Sequence, residues 1–268
     1  MQIFEKKNGN GPREADSMTG RHKLDPDRLP SPKADPAEIE KLSGSVHELT
    51  DANELKKVAV FSEKKPARMA AVEKLANDAD SLAEIAKTAR HKDARLAAIQ
   101  RLSGDIRALL DVASRAEEKD AKLAAVESLG GNVEALMQVV KTSLSGTAIR
   151  AAIEKLCGDI KRIKEIAKST VKKKARDAAI GKLAGDPEAL REVASYSMYG
   201  DARVLAVQKL SGNKEILREI ACGSVYADSR KAALETIGSD YDSLLFVSEN
   251  SRYDDTKETA KGLILKGV

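Results

Sequence analysis

One nine-residue pattern constrains this chain more than any other feature. It reads ARMAAVEKL from Ala67 to Leu75, ARLAAIQRL from Ala94 to Leu102 and AKLAAVESL from Ala121 to Leu129. It returns as AIRAAIEKL, ARDAAIGKL and ARVLAVQKL, starting at Ala148, Ala175 and Ala202, and more weakly at Ser229 and Thr256. Every step is 27 residues, with no insertion. A fixed period of this size marks a solenoid, in which each unit buries its apolar face against its neighbours.

A second helix shares the period. Its anchors are Leu82, Leu109, Leu136, Ile163, Leu190, Leu217 and Leu244. Three residues on come Ile85, Val112, Val139, Ile166, Val193, Ile220 and Val247, then a small residue such as Ala86 or Ala113. That spacing is a helical stripe. Each unit is therefore helix A, a short loop, helix B and a tight turn. Gly104, Gly131, Gly158, Gly185 and Gly212 are placed to end helix B in a left-handed conformation. Asp105, Asn132, Asp159, Asp186 and Asn213 follow as N-caps of the next helix A. Asp93, Asp120, Asp201, Asp228 and Asp255 precede the pattern and are expected to cap helix B. Helices of about 9 to 12 residues do not persist alone in water. Each buried Leu, Ile or Val contributes about 1.5–3 kcal/mol, so a unit needs its neighbours to outweigh its ordering entropy. Aromatics make up 3% of the chain and Trp is absent, which leaves Ala, Leu, Ile and Val to build the core. The expected fold is all-α, a solenoid of stacked two-helix repeats.

The helix-B signature ARxAAVxxL, as at Ala67–Leu75 and Ala94–Leu102, resembles the HEAT-like repeats of the armadillo-like α-solenoids. The resemblance covers about residues 52 to 267 and is closest to compact prokaryotic units, since 27 residues is short for a HEAT repeat. It implies an architecture and says little about function. Residues 1–35, rich in Gly, Pro, Lys and Asp without a period, are expected to be a flexible tail. The solenoid is expected over 36–268, with a worn unit at 36–77, regular repeats from about 78 and a polar cap at 256–268.

Counting from the first Ala of helix B, positions one, five, six and nine form one buried arc at about 100° per residue. Position two falls inside it and holds Arg68, Arg95, Lys122, Ile149, Arg176, Arg203, Arg230 and Lys257. Helix geometry places these side chains between stacked units, and the HEAT-like resemblance implies a structural arginine ladder. Positions three, seven and eight form a free, mixed-charge face.

Two stretches depart from that face. Residues 161–182 hold nine basic and two acidic residues in a chain of net charge +4. Its candidate phosphate or acidic-partner patch is Lys161, Arg162, Lys164, Lys168, Lys172, Lys173, Lys174 and Lys182, against the alternative of a solvated charged edge. Tyr199, Tyr226 and Tyr253 recur at the period in successive A–B loops near an acidic stretch at 235–258. With Tyr196 they are candidate partner anchors as a row of exposed rings, against the alternative of loop-to-loop packing.

Nothing in the sequence points to chemistry. No phosphate loop, nucleophile elbow or HExxH is present. The histidines are His22, His47 and His91, and His47-Glu48 is a single His-Glu pair where HEAT-like metal hydroxylases need several. Cys157 and Cys222 form no CxxC pair and are expected to be small buried residues in a reducing, cytoplasmic setting. The expectation is a non-enzymatic scaffold for a protein partner or a larger complex, without cofactor or metal. The alternative is a nucleic-acid or ribosome-associated factor using the basic patch and the tail, whose Met1-Gln2-Ile3-Phe4 start reads as a short docking peptide.

Overall fold

The structure, a computed structural model, describes residues 34–267. Residues 1–33 of the expected tail, with its first four residues and His22, lie outside them; Asp35 is the N-cap of the first helix. The described residues form seventeen helices and no strand. The first three are α1 (Pro36–Gly44), α2 (Ala52–Phe61) and α3 (Lys65–Lys74). The regular pairs follow: α4 (Ala79–Thr88) with α5 (Lys92–Arg101), α6 (Ile106–Arg115) with α7 (Lys119–Ser128), and α8 (Val133–Thr142) with α9 (Gly146–Lys155). Then come α10 (Ile160–Ser169) with α11 (Lys173–Lys182), α12 (Pro187–Tyr196) with α13 (Gly200–Lys209), and α14 (Lys214–Gly223) with α15 (Ala227–Ile237). The last pair is α16 (Tyr241–Asn250) with α17 (Asp254–Leu265).

Each even-numbered helix packs on the odd-numbered helix that follows it, and helices two apart pack side by side. Two layers result, one of helices A and one of helices B. This is a helical-repeat solenoid. The alanine columns explain the tight B layer. Ala94 and Ala98, Ala121 and Ala125, and Ala148 and Ala152 are fully buried, and without larger side chains neighbouring helices approach closely. Ile85, Val112, Val139, Ile166 and Val193 fill the seam with no exposed surface. Among consecutive A helices, α8 and α10 are the pair without close packing.

The helix-A caps form largely as the sequence reads. Asp105, Asn132, Asp159 and Asp186 each accept the N–H three residues on, at 2.9–3.0 Å. Asn213 holds the cap position without a side-chain bond. Two local expectations are corrected. Of the five turn glycines, Gly104 alone is left-handed, at φ 99°. The turns instead close through a backbone bond three residues back, as from Asp159 N–H to Leu156 C=O at 2.8 Å. The same bond forms whether or not the turn holds a left-handed glycine, as Gly104 and Gly130 do in theirs, so a left-handed residue is not required. Asp93 and its equivalents do not cap helix B either. They lie one residue inside it, and the cap residue before α5 is His91, without a capping bond.

Cys157 is exposed and Cys222 half-buried, where both were expected inside. Cys157 follows Leu156, the last core residue of its helix, and points out of the turn. Burial pushes the Cys222 thiol up from its ordinary value.

Ile153 is 1% exposed in the middle of the stack. Ile153→Ala is expected to cost about 2–5 kcal/mol through lost contacts and a residual cavity, read as the fall in stability extrapolated from urea unfolding.

Candidate functional site

The A–B loops line one edge of the stack, and a ladder of ion pairs fixes that edge. Arg68, Arg95 and Arg203 each bind the aspartate 25 residues later through two guanidinium nitrogens. The shorter bonds, Nη2 to Oδ2, are 2.6 Å to Asp93, 2.7 Å to Asp120 and 2.5 Å to Asp228. Their Nε atoms donate to the other carboxylate oxygen at 2.9–3.0 Å. Nη1 of each donates at 2.8 Å to a loop carbonyl of its own unit, that of Ser62, Ala89 or Ser197. Arg176 reaches Asp201 through Nη2 alone, at 2.6 Å. Arg230 divides its donors between Asp255 at 2.9 Å and Thr256 Oγ1 at 2.9 Å. All five arginines are buried. A guanidinium out of water is tolerated only when carboxylate and carbonyls satisfy it together.

The ladder stops in the middle. Lys122 and Ile149 occupy the arginine position, and Thr147 and Lys174 stand where the aspartate belongs. The second of these interfaces also separates α8 from α10. Lys172 Nζ spans it by donating to the Ser143 carbonyl at 2.6 Å, and burial lowers the Lys172 pKa.

The tyrosine row is not a free row. Tyr199, Tyr226 and Tyr253 are half-buried. The guanidinium carbons of Arg176, Arg203 and Arg230 sit 3.9, 3.8 and 3.7 Å from their ring centroids. Each ring covers the arginine of the preceding unit, a cation–π contact that also screens the ion pair from water. Tyr196 differs, being 69% exposed at the end of α12.

The basic cluster is dispersed by the fold. Lys161, Arg162, Lys164 and Lys168 belong to α10 in the A layer. Lys172, Lys173 and Lys174 lie at the loop edge, and Lys182 ends α11 in the B layer. Five of the eight have a carboxylate partner within 3.2 Å, through four acids. Lys164 and Lys168 share Glu192, Lys182 meets Glu154, Arg162 meets Glu165 at 3.2 Å and Lys173 meets Asp177 at 3.1 Å. Lys161 and Lys174 are exposed with no acidic partner among the described residues. The B-layer free face is the expected mixture, with Arg101 on Glu73 and Lys155 on Glu127 linking successive units.

A second column was not read from the sequence. Leu144, Val171, Met198 and Val225 are 89, 79, 74 and 72% exposed, each at the tip of an A–B loop and 27 residues apart. The loop chemistry turns them outward. Ser143, Ser197 and Ser224 precede three of them, and each serine hydroxyl accepts the N–H two residues on at 3.1–3.3 Å. The tip residue is the apex of that turn. Before this run the tip position holds Glu63, Arg90 and Glu117, and after it Arg252. The 27-residue alignment contained the signal, but the differing apolar identities hid it.

Among the described residues no group of His, Cys, Asp and Glu is arranged to hold a metal. No described helix is long and apolar enough to cross a membrane. A groove crosses α4, α6 and α8 in the A layer; Asp80, Asp105 and Asp111 line it, and Asp111 is paired with Lys87 at 2.9 Å and Arg115 at 2.8 Å. No protein-family model matches the chain, and no match is found among curated proteins.

Arg95→Ala would strand Asp120 and open the loop, and is expected to cost about 3–5 kcal/mol. Lys122→Ala, at a position that makes no carboxylate pair, is expected to cost under about 1 kcal/mol. Paired urea titrations compare them.

The ladder also sets an acid limit. Hydrogen bonds from the arginines hold Asp93, Asp120, Asp201 and Asp255 below the ordinary carboxylate range. At Asp228 burial pushes upward, but the bond and charge of Arg203 together with hydrogen bonds from Ser229 leave it lowered as well. A carboxyl with a depressed folded pKa contributes stability that is complete above its unfolded value. That contribution is lost as pH falls through the folded value, so the window lies below about pH 4. Thermal unfolding from pH 6 to pH 2.5 should show a steep loss there, and a shallower one in Asp120→Asn.

Proposed function

We propose that the chain is a non-enzymatic binding scaffold of the HEAT-like class, working in the cytoplasm. It presents its A–B loop edge and the free face of its B helices to protein. The observation that carries this reading is the exposed column Leu144, Val171, Met198 and Val225, with Tyr196 beside it. Isolated exposed apolar residues are ordinary, but an aligned row on a rigid frame marks an interaction surface. Tyr199, Tyr226 and Tyr253 support this edge by covering the arginine ladder, so their part in binding is to hold the rungs in place.

A second reading, a nucleic-acid or ribosome-associated factor, draws on the unpaired Lys161 and Lys174. It has less support, because Lys164, Lys168, Lys173 and Lys182 already have carboxylate partners. Phosphate contacts would make binding strongly salt-dependent.

Affinity purification of the tagged full chain from native lysate, with and without nuclease, separates the two. The scaffold reading expects partners that survive nuclease and moderate salt and that Met198→Asp releases. Capture that leaves with nuclease or salt and is unchanged by Met198→Asp would overturn it, and Lys174→Glu would then be the variant that matters.

A further inference from the structure

The loop-tip column has a symmetry that identifies an occupant. In chain order the tips read Glu117, Leu144, Val171, Met198, Val225 and Arg252. Four apolar rungs are closed by an acid at one end and a base at the other. Glu118 beside Glu117 is also exposed, as is Arg252. Such an edge is complementary to itself when reversed. We infer that the loop edge pairs with the same edge of a second copy, antiparallel, about a two-fold axis between the Val171 and Met198 rungs. The inference rests on the reading of this edge as a contact surface.

In that arrangement Val171 faces Met198 of the second copy, Leu144 faces its Val225, and the exposed Glu118 at the Glu117 rung faces its Arg252. Each contact occurs twice, as an isologous interface requires. The other registers are worse. A parallel in-register pair sets Lys172–Lys174 against their own copies and Arg252 against Arg252. An antiparallel axis through the Val171 rung again faces the lysines with one another and leaves Val225 opposite Glu117. An axis through the Met198 rung leaves Leu144 opposite Arg252. Only the axis between Val171 and Met198 matches all four apolar rungs with apolar rungs and both charged ends with opposite charge.

The size also fits. Helices pack about 8–10 Å apart, so the five steps between six rungs extend about 40–50 Å along the edge. A strip about 15 Å wide then buries on the order of 600–750 Å² per copy, within the lower range of specific interfaces. The rungs are held ready for this. The serine turns fix the apices, and the N–H of Met198 donates to the Lys168 carbonyl of the preceding unit at 3.1 Å, as that of Arg252 does to Cys222 at 3.0 Å. Little loop ordering remains to be done on binding.

Sedimentation equilibrium of the full chain over a micromolar range tests this, with thermal unfolding to confirm that each variant folds. The wild type is expected to be a monomer–dimer system. Met198→Asp is expected to weaken the dimer at least about 100-fold, because the residue is used twice. Arg252→Glu should weaken it about 10-fold, and adding Glu118→Lys should restore it to within about 3-fold. A wild type that is monomeric throughout overturns the inference; if Met198→Asp then still abolishes lysate capture, the scaffold reading stands without it. A dimer unaffected by Met198→Asp overturns the edge as its own partner. Loss with Met198→Asp but no rescue by the charge exchange overturns the antiparallel pairing.

Discussion

The structure depends on one contact, the buried guanidinium that one unit sends to the aspartate of the next. Apolar seams of Ala, Val and Ile supply most of the favourable free energy, but they tolerate sliding, since one alanine column resembles another. A bidentate arginine does not. Displaced along the seam, it would leave a buried charge without its carboxylate, at several kcal/mol. The pair therefore acts as a spacer that permits one offset between units. The same arginine bonds its own loop carbonyl, so the loop edge inherits that precision.

The two halves of the ladder are finished differently. At the C-terminal end Tyr199, Tyr226 and Tyr253 lie over Arg176, Arg203 and Arg230. At the N-terminal end the same loop position holds His91 and Glu118, and no tyrosine stands over Arg68 or Arg95. Between them two interfaces lack the pair. There α8 and α10 pack less closely than the other consecutive A helices, and Lys172 bridges by a single bond to a carbonyl. The apolar tips begin at this interruption and run through the tyrosine-covered units. Leu144 and Val171, the two most exposed tips, thus sit at the interruption, and Met198 and Val225 on the tyrosine-covered half.

Charge shows how sequence adjacency misleads in a repeat fold. Residues 161–182 are a dense basic run in the chain, yet they pass from the A layer through the loop edge to the end of a B helix. A solenoid sends successive segments to different sides, so neighbours in sequence become strangers in space. Residues 27 apart become neighbours instead. Glu192 meets Lys164 and Lys168, and Glu154 meets Lys182, because those acids belong to adjoining units.

The sequence by itself determined the repeat, the two helices of each unit, most helix-A caps, the apolar seam and the inward arginine. These follow from local rules of helical periodicity and capping, which need only a few consecutive residues. It did not determine that Asp93 and its equivalents serve the preceding arginine rather than their own helix end. A capping aspartate and a cross-unit partner look alike in one unit and differ only in what the neighbour brings. Nor did it decide that Tyr199, Tyr226 and Tyr253 lie over guanidinium groups while Leu144, Val171, Met198 and Val225 point outward. Those assignments depend on the offset between units and on the serine turns at the loop apex. They belong to the stack as a whole, because the atoms that settle them lie a full repeat apart in the chain.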